Sequence, residues 1–331
     1  MKVMISEKQI ESRIEALFKG LAFPERPENV YAPQRYMIEI GGKRIRPRLC
    51  LTAYAALGGE TLGDEAVLAP AAGLELFHTF SLIHDDIMDN SPLRRGQETV
   101  WKKWGNDIAL LSGDAMLIES YKYMLKAPEK VRSQVLQLFS ENATKVCEGQ
   151  QLDMDFEQRE SVSMAEYEEM IGDKTAALLA CAAGTGALIA GADENSCATL
   201  YGFGWDLGMA FQVADDYLDA YADQAVFGKP VGGDILNEKM SWLTVRALEK
   251  TDNRAGLLQL LSRPAETQEE KVEKIAAVKA EYERLGVPEE ALKTIASWHA
   301  SAGEKIAQLN LGSVKTQLLA RFAHSLIGRV K

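Results

Sequence analysis

Six aspartates stand in two clusters of identical spacing, and carboxylates in such a pattern are typical metal ligands. The clusters are DDIMD at 85–89 and DDYLD at 215–219, both of the form DDxxD. On a helix, residues i and i+4 share a face, so Asp85 lies beside Asp89 and their like charges repel. A hard cation such as Mg²⁺ offsets this repulsion, because it takes oxygen ligands and bridges carboxylates to substrate phosphates.

A solvated acidic face is the other interpretation of each cluster taken alone. Both clusters follow apolar helical turns, with Phe80 before the first and Phe211 before the second, which favours a pocket wall. The second cluster pairs Asp215 with Asp219 on one face in the same way. Neither cluster has the donor pattern of a calcium loop, and a di-iron centre would need two Glu-x-x-His motifs, of which the chain has one, Glu75 to His78. The metal interpretation is therefore the better one.

Basic residues suited to phosphate accompany the clusters. They are Lys43, Arg44, Arg46 and Arg48 in 41–49, then Arg94, Arg95, Lys174, Lys229 and Lys239. Arg binds phosphate oxygens with a bidentate fork and Lys acts as a point charge. Each could also be a plain surface charge, and 41–49 a basic turn that opens a surface helix. The glycine-containing segment 227–248 lacks a P-loop pattern and is predicted to be a lid over phosphates.

The elements that position these residues are predicted to be helices. Apolar residues recur three and four positions apart, and residues 129–229 contain no proline. No linker is long enough to mark a boundary, so one domain over 1–331 is expected. The longest uncharged run, 176–192, is too short to span a membrane and is expected to form a buried helix.

Composition excludes several classes of partner. The chain has 331 residues and a net charge of −11, so it lacks the basic surplus that binding to nucleic acids or anionic membranes requires. The N-terminus has no apolar stretch typical of a signal peptide. Four cysteines without CxxC spacing are expected to be reduced thiols of a cytoplasmic protein.

Taken together, the motifs resemble those of the trans-isoprenyl diphosphate synthases, also called polyprenyl synthetases. They are GGKRIRP (41–47), DDIMDNSPLRRG (85–96), GQQLDMD (149–155), KT (174–175), FQVADDYLD (211–219) and GKPVGGDILNEK (228–239). They stand in the family's order and span about two-thirds of the chain. One departure is Ser241, where the family often has threonine, and the hydroxyl is kept.

The resemblance implies an all-α fold of the isoprenoid synthase type, a bundle of long helices around a central active-site cavity, and a homodimer. It implies a prenyltransferase that joins an allylic diphosphate to isopentenyl diphosphate head to tail. The expected metal is Mg²⁺, with about three ions held together with the substrate diphosphate. No nucleic acid partner and no stable membrane insertion are expected.

The resemblance also implies roles for individual residues. Those expected to bind Mg²⁺ are Asp85, Asp89 and Asp215, with Asp216 and Asp219 in support. Those expected to hold the allylic diphosphate are Arg94, Lys174, Lys229 and Lys239. Those expected to hold isopentenyl diphosphate are Lys43, Arg46, His78 and Arg95. Thr175 and Gln212 would face the developing carbocation with their oxygens. His78 taken alone would be a typical core histidine.

Product length is predicted from the residues before Asp85. Phe80 and Phe77 share a helix face, and an aromatic ring five residues before Asp85 would block a channel about 7–8 Å below the metals. Ser81 is small and would not block it earlier. In the family this combination resembles synthases of geranylgeranyl diphosphate (C20). The alternative is farnesyl diphosphate (C15), or core packing alone for Phe77 and Phe80.

Two other functions share some of these features. A class I terpene cyclase would also carry an aspartate-rich metal motif, but it would not need the second diphosphate pocket that GGKRIRP, His78 and Arg95 indicate. A non-catalytic subunit of a heteromeric synthase would tend to lose one aspartate cluster or the lysines. This chain keeps all of them.

Overall fold

The structure is a computed structural model that describes residues 5–222 and 231–327. Within these ranges nearly every element is a helix, which confirms the all-α prediction. The elements are α1 Glu7–Lys19, α2 Glu28–Glu39, α3 Ile45–Ala56, α4 Glu65–Met88, β1 Leu93–Arg94, β2 Gln97–Glu98, α5 Val100–Trp104, α6 Asn106–Met124, α7 Arg132–Phe156, α8 Met164–Ile171, a π-helical turn Gly172–Ala176, α9 Ala177–Ile189, α10 Glu194–Tyr221, α11 Gly233–Leu236, α12 Trp242–Lys250, α13 Arg254–Leu261, α14 Gln268–Arg284, α15 Val287–Gln308 and α16 Ser313–Ile327.

The chain divides into two compact units. The first comprises Met1–Ala143, Cys181–Tyr201 and Leu311–Leu319, and the second comprises Thr144–Ala180, Gly202–Asn310 and Ala320–Lys331. The single domain expected over residues 1–331 stays a prediction.

Helix α4 is the centre of the first unit. The side chain of Asp64 accepts a hydrogen bond from Ala66 N at 2.9 Å and so begins the helix. The helix packs mainly against α6 and α3. Gly73 lets α6 come close, because a Cβ there would lie 2.8 Å from Met124 Sδ. This packing fixes the position of the C-terminal end of α4, where the first aspartate cluster lies.

The same helix is long and apolar enough to cross a membrane, and it is the one such candidate in residues 5–222 and 231–327. However, 78% of its apolar window is buried inside the protein. A buried apolar helix is what the core of a soluble protein contains.

Helices of the second unit begin at strong N-terminal signals. Ser163 and Thr267 start α8 and α14, each with a reciprocal capping box. Ser241 starts α12 by accepting a hydrogen bond from Thr244 N. These caps set where α8 and α12 begin, and both helices contribute to the site in this unit.

The buried helix expected over 176–192 corresponds to α9, which ends at Ile189. Its alanines are almost fully buried, as the small side chains predicted. Gly186 lies against Cys50 O in the first unit, where a Cβ would come within 2.1 Å.

Candidate active site

The first aspartate cluster lies at the C-terminal end of α4. Asp85 is half-buried, Asp86 is buried and Asp89 is the exposed C-cap residue. Asp89 N donates to Asp85 O at 2.8 Å, so the backbone is still helical at the cap. Asp85 and Asp89 therefore share a face, as the spacing predicted, and Asp86 points elsewhere.

Asp86 is held by Arg94. Arg94 Nε donates to both carboxylate oxygens of Asp86, at 3.0 and 2.8 Å, and Nη2 donates to Oδ1 at 2.7 Å. Arg94 lies on β1, which pairs with β2 in a tight hairpin turned by Arg95 and Gly96, both at positive φ. Burial raises the pKa of Asp86, and the Arg94 guanidinium opposes that rise. The sequence did not predict this hairpin.

The GGKRIRP segment forms a turn that is fixed by Arg44. Arg44 has φ +47°, donates to Glu75 Oε1 at 3.0 Å and to Ile38 O at 2.8 Å, and lies 4.4 Å over the ring of Phe18. Glu75 is 2% exposed. The interactions of Arg44 are thus internal, whereas the side chain of its neighbour Lys43 is exposed.

Arg46, His78 and Arg95 lie close together in this unit. Burial lowers the pKa of Arg46 to about 10, and Glu75 opposes that shift. Arg46 Nε is buried and has no hydrogen-bond partner among the described residues. The pKa of His78 lies well below its usual value because of burial and the surrounding guanidinium groups, so this imidazole is neutral.

A glycine makes room for one of these cations. A Cβ on Gly42 would lie 2.7 Å from Arg95 Nη1 and Nη2, and the φ of +150° at Gly42 also favours glycine. The second glycine of the motif, Gly42, therefore lets the backbone lie against Arg95.

In the second unit, Lys174 and Thr175 lie on the π-helical turn Gly172–Ala176. Such turns occur frequently at functional sites. A Cβ on Gly149 would lie 2.2 Å from Lys174 N, and one on Gly208 would lie 2.4 Å from Ala176 Cα. The two glycines let α7 and α10 touch the backbone of this turn.

The side chains around the turn form a hydrogen-bonded set. Thr175 Oγ1 donates to Gln212 Oε1 at 3.0 Å, and Gln212 Nε2 donates to Asp216 Oδ1 at 2.9 Å. Lys174 pairs with Asp153. These five residues line a cavity of about 110 Å³, which Tyr167, Asp234, Lys239 and Ser241 also line.

Asp219 of the second aspartate cluster also holds the start of α11. Asp234 N donates to Asp219 Oδ2 at 2.9 Å, and Gly232 N donates to Asp219 O at 2.6 Å. Burial raises the pKa of Asp234 to about 8, with further contributions from Asp216 and Asp219, and Lys239 opposes the rise. Asp215 is half-buried on α10. Lys229 lies outside the described residues, so its predicted role and the lid remain predictions.

The residues predicted to set product length lie in an aromatic cluster of the first unit. The rings of Phe77 and Phe80 meet edge to face at 5.4 Å, and Phe139 contacts Phe77 at the same distance. Phe80 also contacts His84, with ring centroids 4.8 Å apart. Phe77 is 1% and Phe80 is 8% exposed, and Ser81 is half-buried. Phe80 therefore has its ring braced on two sides.

Sequence reasoning missed several members of both sites. Tyr167, Asp153 and Asp234 belong to the second-unit site, and Glu75 belongs to the first. Asp153 stands in GQQLDMD and Asp234 in the glycine loop, so the motifs carried a signal for these two. Tyr167 and Glu75 lie outside the six motifs, and only the fold shows what they contact.

The donor chemistry of the clusters fits a hard divalent cation that also binds substrate. Residues 5–222 and 231–327 contain no group of three or more His, Cys, Asp or Glu side chains that is closed around an ion position. One or two carboxylates per ion, completed by phosphate oxygens and water, is the coordination that Mg²⁺ prefers. The carboxylates at Asp85, Asp89, Asp215 and Asp219 suit that arrangement.

Comparison with known proteins points to one family. The model of the family "Polyprenyl synthetase" matches residues 27–278. The chain is 42% identical over 238 residues to a short chain isoprenyl diphosphate synthase of Methanothermobacter thermautotrophicus, covering 71% of this chain and 72% of that protein. It is 40% identical over 245 residues to a geranylgeranyl diphosphate synthase of Methanosarcina mazei, covering 73% and 75%. A solved structure of a geranylgeranyl pyrophosphate synthase is similar with a TM-score of 0.93 and 38% identity, covering 98% and 99%.

Proposed function

Because the chain belongs to the polyprenyl synthetase family and is a trans-prenyltransferase with the isoprenoid synthase fold, we propose that it makes geranylgeranyl diphosphate (C20). Members of the family act on an allylic diphosphate and isopentenyl diphosphate and use divalent metal. The observation that carries the proposed prenyl transfer is the position of Lys174, Thr175 and Gln212 in the wall of one cavity. In this cavity the Lys174 ammonium would bind a diphosphate, and the oxygens of Thr175 and Gln212 would stabilise a carbocation.

The metal proposed is Mg²⁺, with about three ions bound together with the substrate diphosphate. Asp85 and Asp89 from one cluster, and Asp215 and Asp219 from the other, would hold these ions. When bound, Mg²⁺ supplies Lewis-acid charge that draws electrons onto the leaving diphosphate.

Cationic side chains would orient the allylic diphosphate. Three lysines would act as point charges, namely Lys174, Lys229 and Lys239. The guanidinium of Arg94, whose position is set by Asp86, would donate paired hydrogen bonds to the diphosphate. The pairing of Lys174 with Asp153 holds its amine at the cavity wall. The allylic C–O bond breaks as these groups bind the departing diphosphate, and Thr175 and Gln212 direct oxygens at the allylic carbon.

Isopentenyl diphosphate would bind to Lys43, Arg46, His78 and Arg95. The buried Nε of Arg46 supports this assignment, because a donor without a partner suits an anionic ligand. The double bond of isopentenyl diphosphate attacks the allylic carbon. This attack forms the new C–C bond and leaves a tertiary carbocation, which gives a proton to the departed diphosphate and so becomes the neutral product.

The C20 product is supported by the position of the Phe80 ring. Phe80 lies on α4 five residues before Asp85, and Phe77 and His84 brace its ring. A chain that grows along α4 from the aspartates would meet this ring, whereas Ser81 leaves space above it. Relatives such as the Methanosarcina mazei enzyme carry the same product in their names.

A homodimer is supported by an apolar stripe on α6. The stripe consists of Leu111 and Ile118 on α6 and Leu125 at its C-cap, which recur every seven residues and are 60%, 59% and 49% exposed. Residues seven apart lie on one face of a helix. We propose that a second copy of this chain covers the stripe.

The protein is further proposed to be cytoplasmic, without stable membrane insertion, and to fold as one domain over 1–331. Burial raises the pKa of the Cys181 thiol to about 12 and that of Cys50 further, so both thiols stay protonated and inert. Free, unreactive thiols suit a reducing compartment.

The test is an assay with labelled isopentenyl diphosphate, Mg²⁺ and, in turn, dimethylallyl, geranyl and farnesyl diphosphate. Condensation with at least one starter is expected. Asp85→Asn and Asp215→Asn should each lower the rate by about a hundredfold or more, because each removes a negative charge that would bind Mg²⁺. Cyclised hydrocarbon from geranylgeranyl diphosphate, without condensation, would instead identify a terpene cyclase.

A further inference from the structure

Tyr167 is a buried side chain on α8 that contacts the second aspartate cluster. It is 1% exposed, and its hydroxyl lies 2.5 Å from Asp216 Oδ2. The backbone N–H of Trp242 donates to the same oxygen at 2.7 Å. Burial raises the pKa of Tyr167 well above its usual value, with Asp216 adding to the rise, so the hydroxyl keeps its proton and donates.

Asp216 is held on both of its carboxylate oxygens by the protein itself. It is 6% exposed. Oδ2 accepts from Tyr167 and Trp242, and Oδ1 accepts from Gln212 Nε2. A carboxylate with these three donors is satisfied without an ion.

The carboxylate also fixes the orientation of the next side chain. Gln212 Nε2 lies 2.9 Å from Asp216 Oδ1, and because an amide nitrogen only donates, the NH₂ group of Gln212 is directed towards Asp216. The amide oxygen then lies at the other end and accepts from Thr175 Oγ1 at 3.0 Å. A hydroxyl has one proton, and that proton is used here. Thr175 can therefore present only lone pairs to the cavity.

We propose that Tyr167 and Asp216 are positioning residues, which set the direction of the hydrogen bonds through Gln212 so that the Thr175 oxygen faces the reacting allylic carbon with its lone pairs. The inference rests on the proposed function. If Asp216 loses a donor or its charge, the Gln212 amide can reverse and Thr175 can direct its proton at the developing positive charge. Such an arrangement stabilises the ground state and the transition state differently, so its loss lowers kcat rather than binding.

The first experiment compares two Tyr→Phe variants. Tyr167→Phe removes the hydroxyl that bonds Asp216, and it should lower kcat by about tenfold while KM for either substrate changes less than about twofold. Tyr282→Phe is the matched control, because Tyr282 is also fully buried and its hydroxyl bonds Thr244 Oγ1 at 2.8 Å, outside the set around Gln212. Its kcat should stay within about twofold of the wild type.

Asp216→Asn provides a second variant in case Tyr167→Phe folds poorly, which thermal unfolding would show. The asparagine keeps the shape but can donate, so the Gln212 amide can reverse and kcat should fall at unchanged KM. Equal kcat for Tyr167→Phe and Tyr282→Phe, together with unchanged kcat in Asp216→Asn, would overturn the inference.

A double-mutant cycle with Thr175→Val gives the sharper result. If Tyr167 acts through the Thr175 hydroxyl, Tyr167→Phe should cost less than about twofold in the Thr175→Val background, against about tenfold in the wild type. The same factor in both backgrounds would contradict the inference and leave the proposed function intact. A folded wild-type protein that forms no product would instead overturn the proposed function, and the inference with it.

Discussion

Arg94 and Asp86 form a bidentate pair with donor–acceptor distances of 2.7 to 3.0 Å, which joins the hairpin after α4 to the helix itself. The side chain of Asp86 is 1% exposed and that of Arg94 is 25% exposed. The middle aspartate of the first cluster thus orients an arginine, as Asp216 orients Gln212 in the second.

Breaking this pair should lower both stability and substrate binding. Asp86→Ala leaves a partly buried guanidinium without its partner, and we expect the free energy of unfolding to fall by about 2–4 kcal/mol. Chemical denaturation measures this change. Glu65→Ala is the control, because Glu65 is on the same helix and its pair with Lys126 is exposed, so its loss should cost less than about 1 kcal/mol. Equal losses in the two variants would contradict the role given to Asp86.

Arg94→Lys tests the fork in the same pair. A lysine keeps the charge but cannot donate two parallel hydrogen bonds, so Asp86 no longer fixes its position. We expect KM for the allylic diphosphate to rise by about tenfold with little change in KM for isopentenyl diphosphate, a difference of about 1.4 kcal/mol. Steady-state kinetics with each substrate varied in turn gives the result, and equal changes in both KM values would argue against the assignment.

Removing the ring of Phe80 should lengthen the product. Phe80→Ala opens space next to Phe77, so the chain can grow past C20 by one or more five-carbon units. Phe156→Ala is the control, since it removes a buried ring of the second unit and should lower stability by about 3–5 kcal/mol without changing product length. Chromatography of the dephosphorylated products distinguishes the two. A C20 product from Phe80→Ala would show that Phe80 is core packing only.

Acid should destabilise the protein through His78. The unfolded histidine binds a proton below about pH 6.5, whereas burial and the guanidinium groups of Arg46, Arg95, Arg94 and Arg44 prevent this in the folded state. The unfolded state therefore binds more protons, and the free energy of unfolding falls as the pH drops below 6.5. The slope from this one residue is at most about 1.4 kcal/mol per pH unit.

His78→Gln removes that slope, because glutamine does not titrate. The free energy of unfolding of the wild type and the variant is measured by denaturation between about pH 5 and 8. The difference between the two curves is the contribution of His78 to the pH dependence. The two curves should run parallel above pH 7 and diverge in acid. Parallel curves throughout would mean that folded His78 titrates normally.

The stripe on α6 should control assembly. Ile118→Lys places a charge at the centre of the proposed interface, and we expect the dimer to dissociate at micromolar concentration. Val272→Lys is the control, because Val272 is 57% exposed on α14. Light scattering gives the mass of each. A wild-type monomer, or an unchanged dimer in Ile118→Lys, would exclude this face.

Much of this fold could be predicted because it depends on local patterns. The apolar period identified the helices, and i to i+4 spacing put Asp85 and Asp89 on one face. The features that were missed depend on partners distant in sequence. The π-helical turn at Thr175 follows from close approach by Gly149 and Gly208, and such contacts leave no local period.

The same reason explains which site residues were missed. Tyr167 meets Asp216 across 49 residues, and Glu75 meets Arg44 across 31. Each looks like an ordinary helical residue until the fold brings it to its partner. The resemblance to a family identified the residues expected to contact the metal and the substrates. The side chains that orient those residues became evident only in the fold.

The most direct measurement is the length of the product made by the wild-type enzyme from labelled isopentenyl diphosphate, Mg²⁺ and farnesyl diphosphate. A C20 product, abolished by a chelator and restored by added Mg²⁺, is the predicted result. No condensation with this or a shorter starter, in folded protein, would contradict the account.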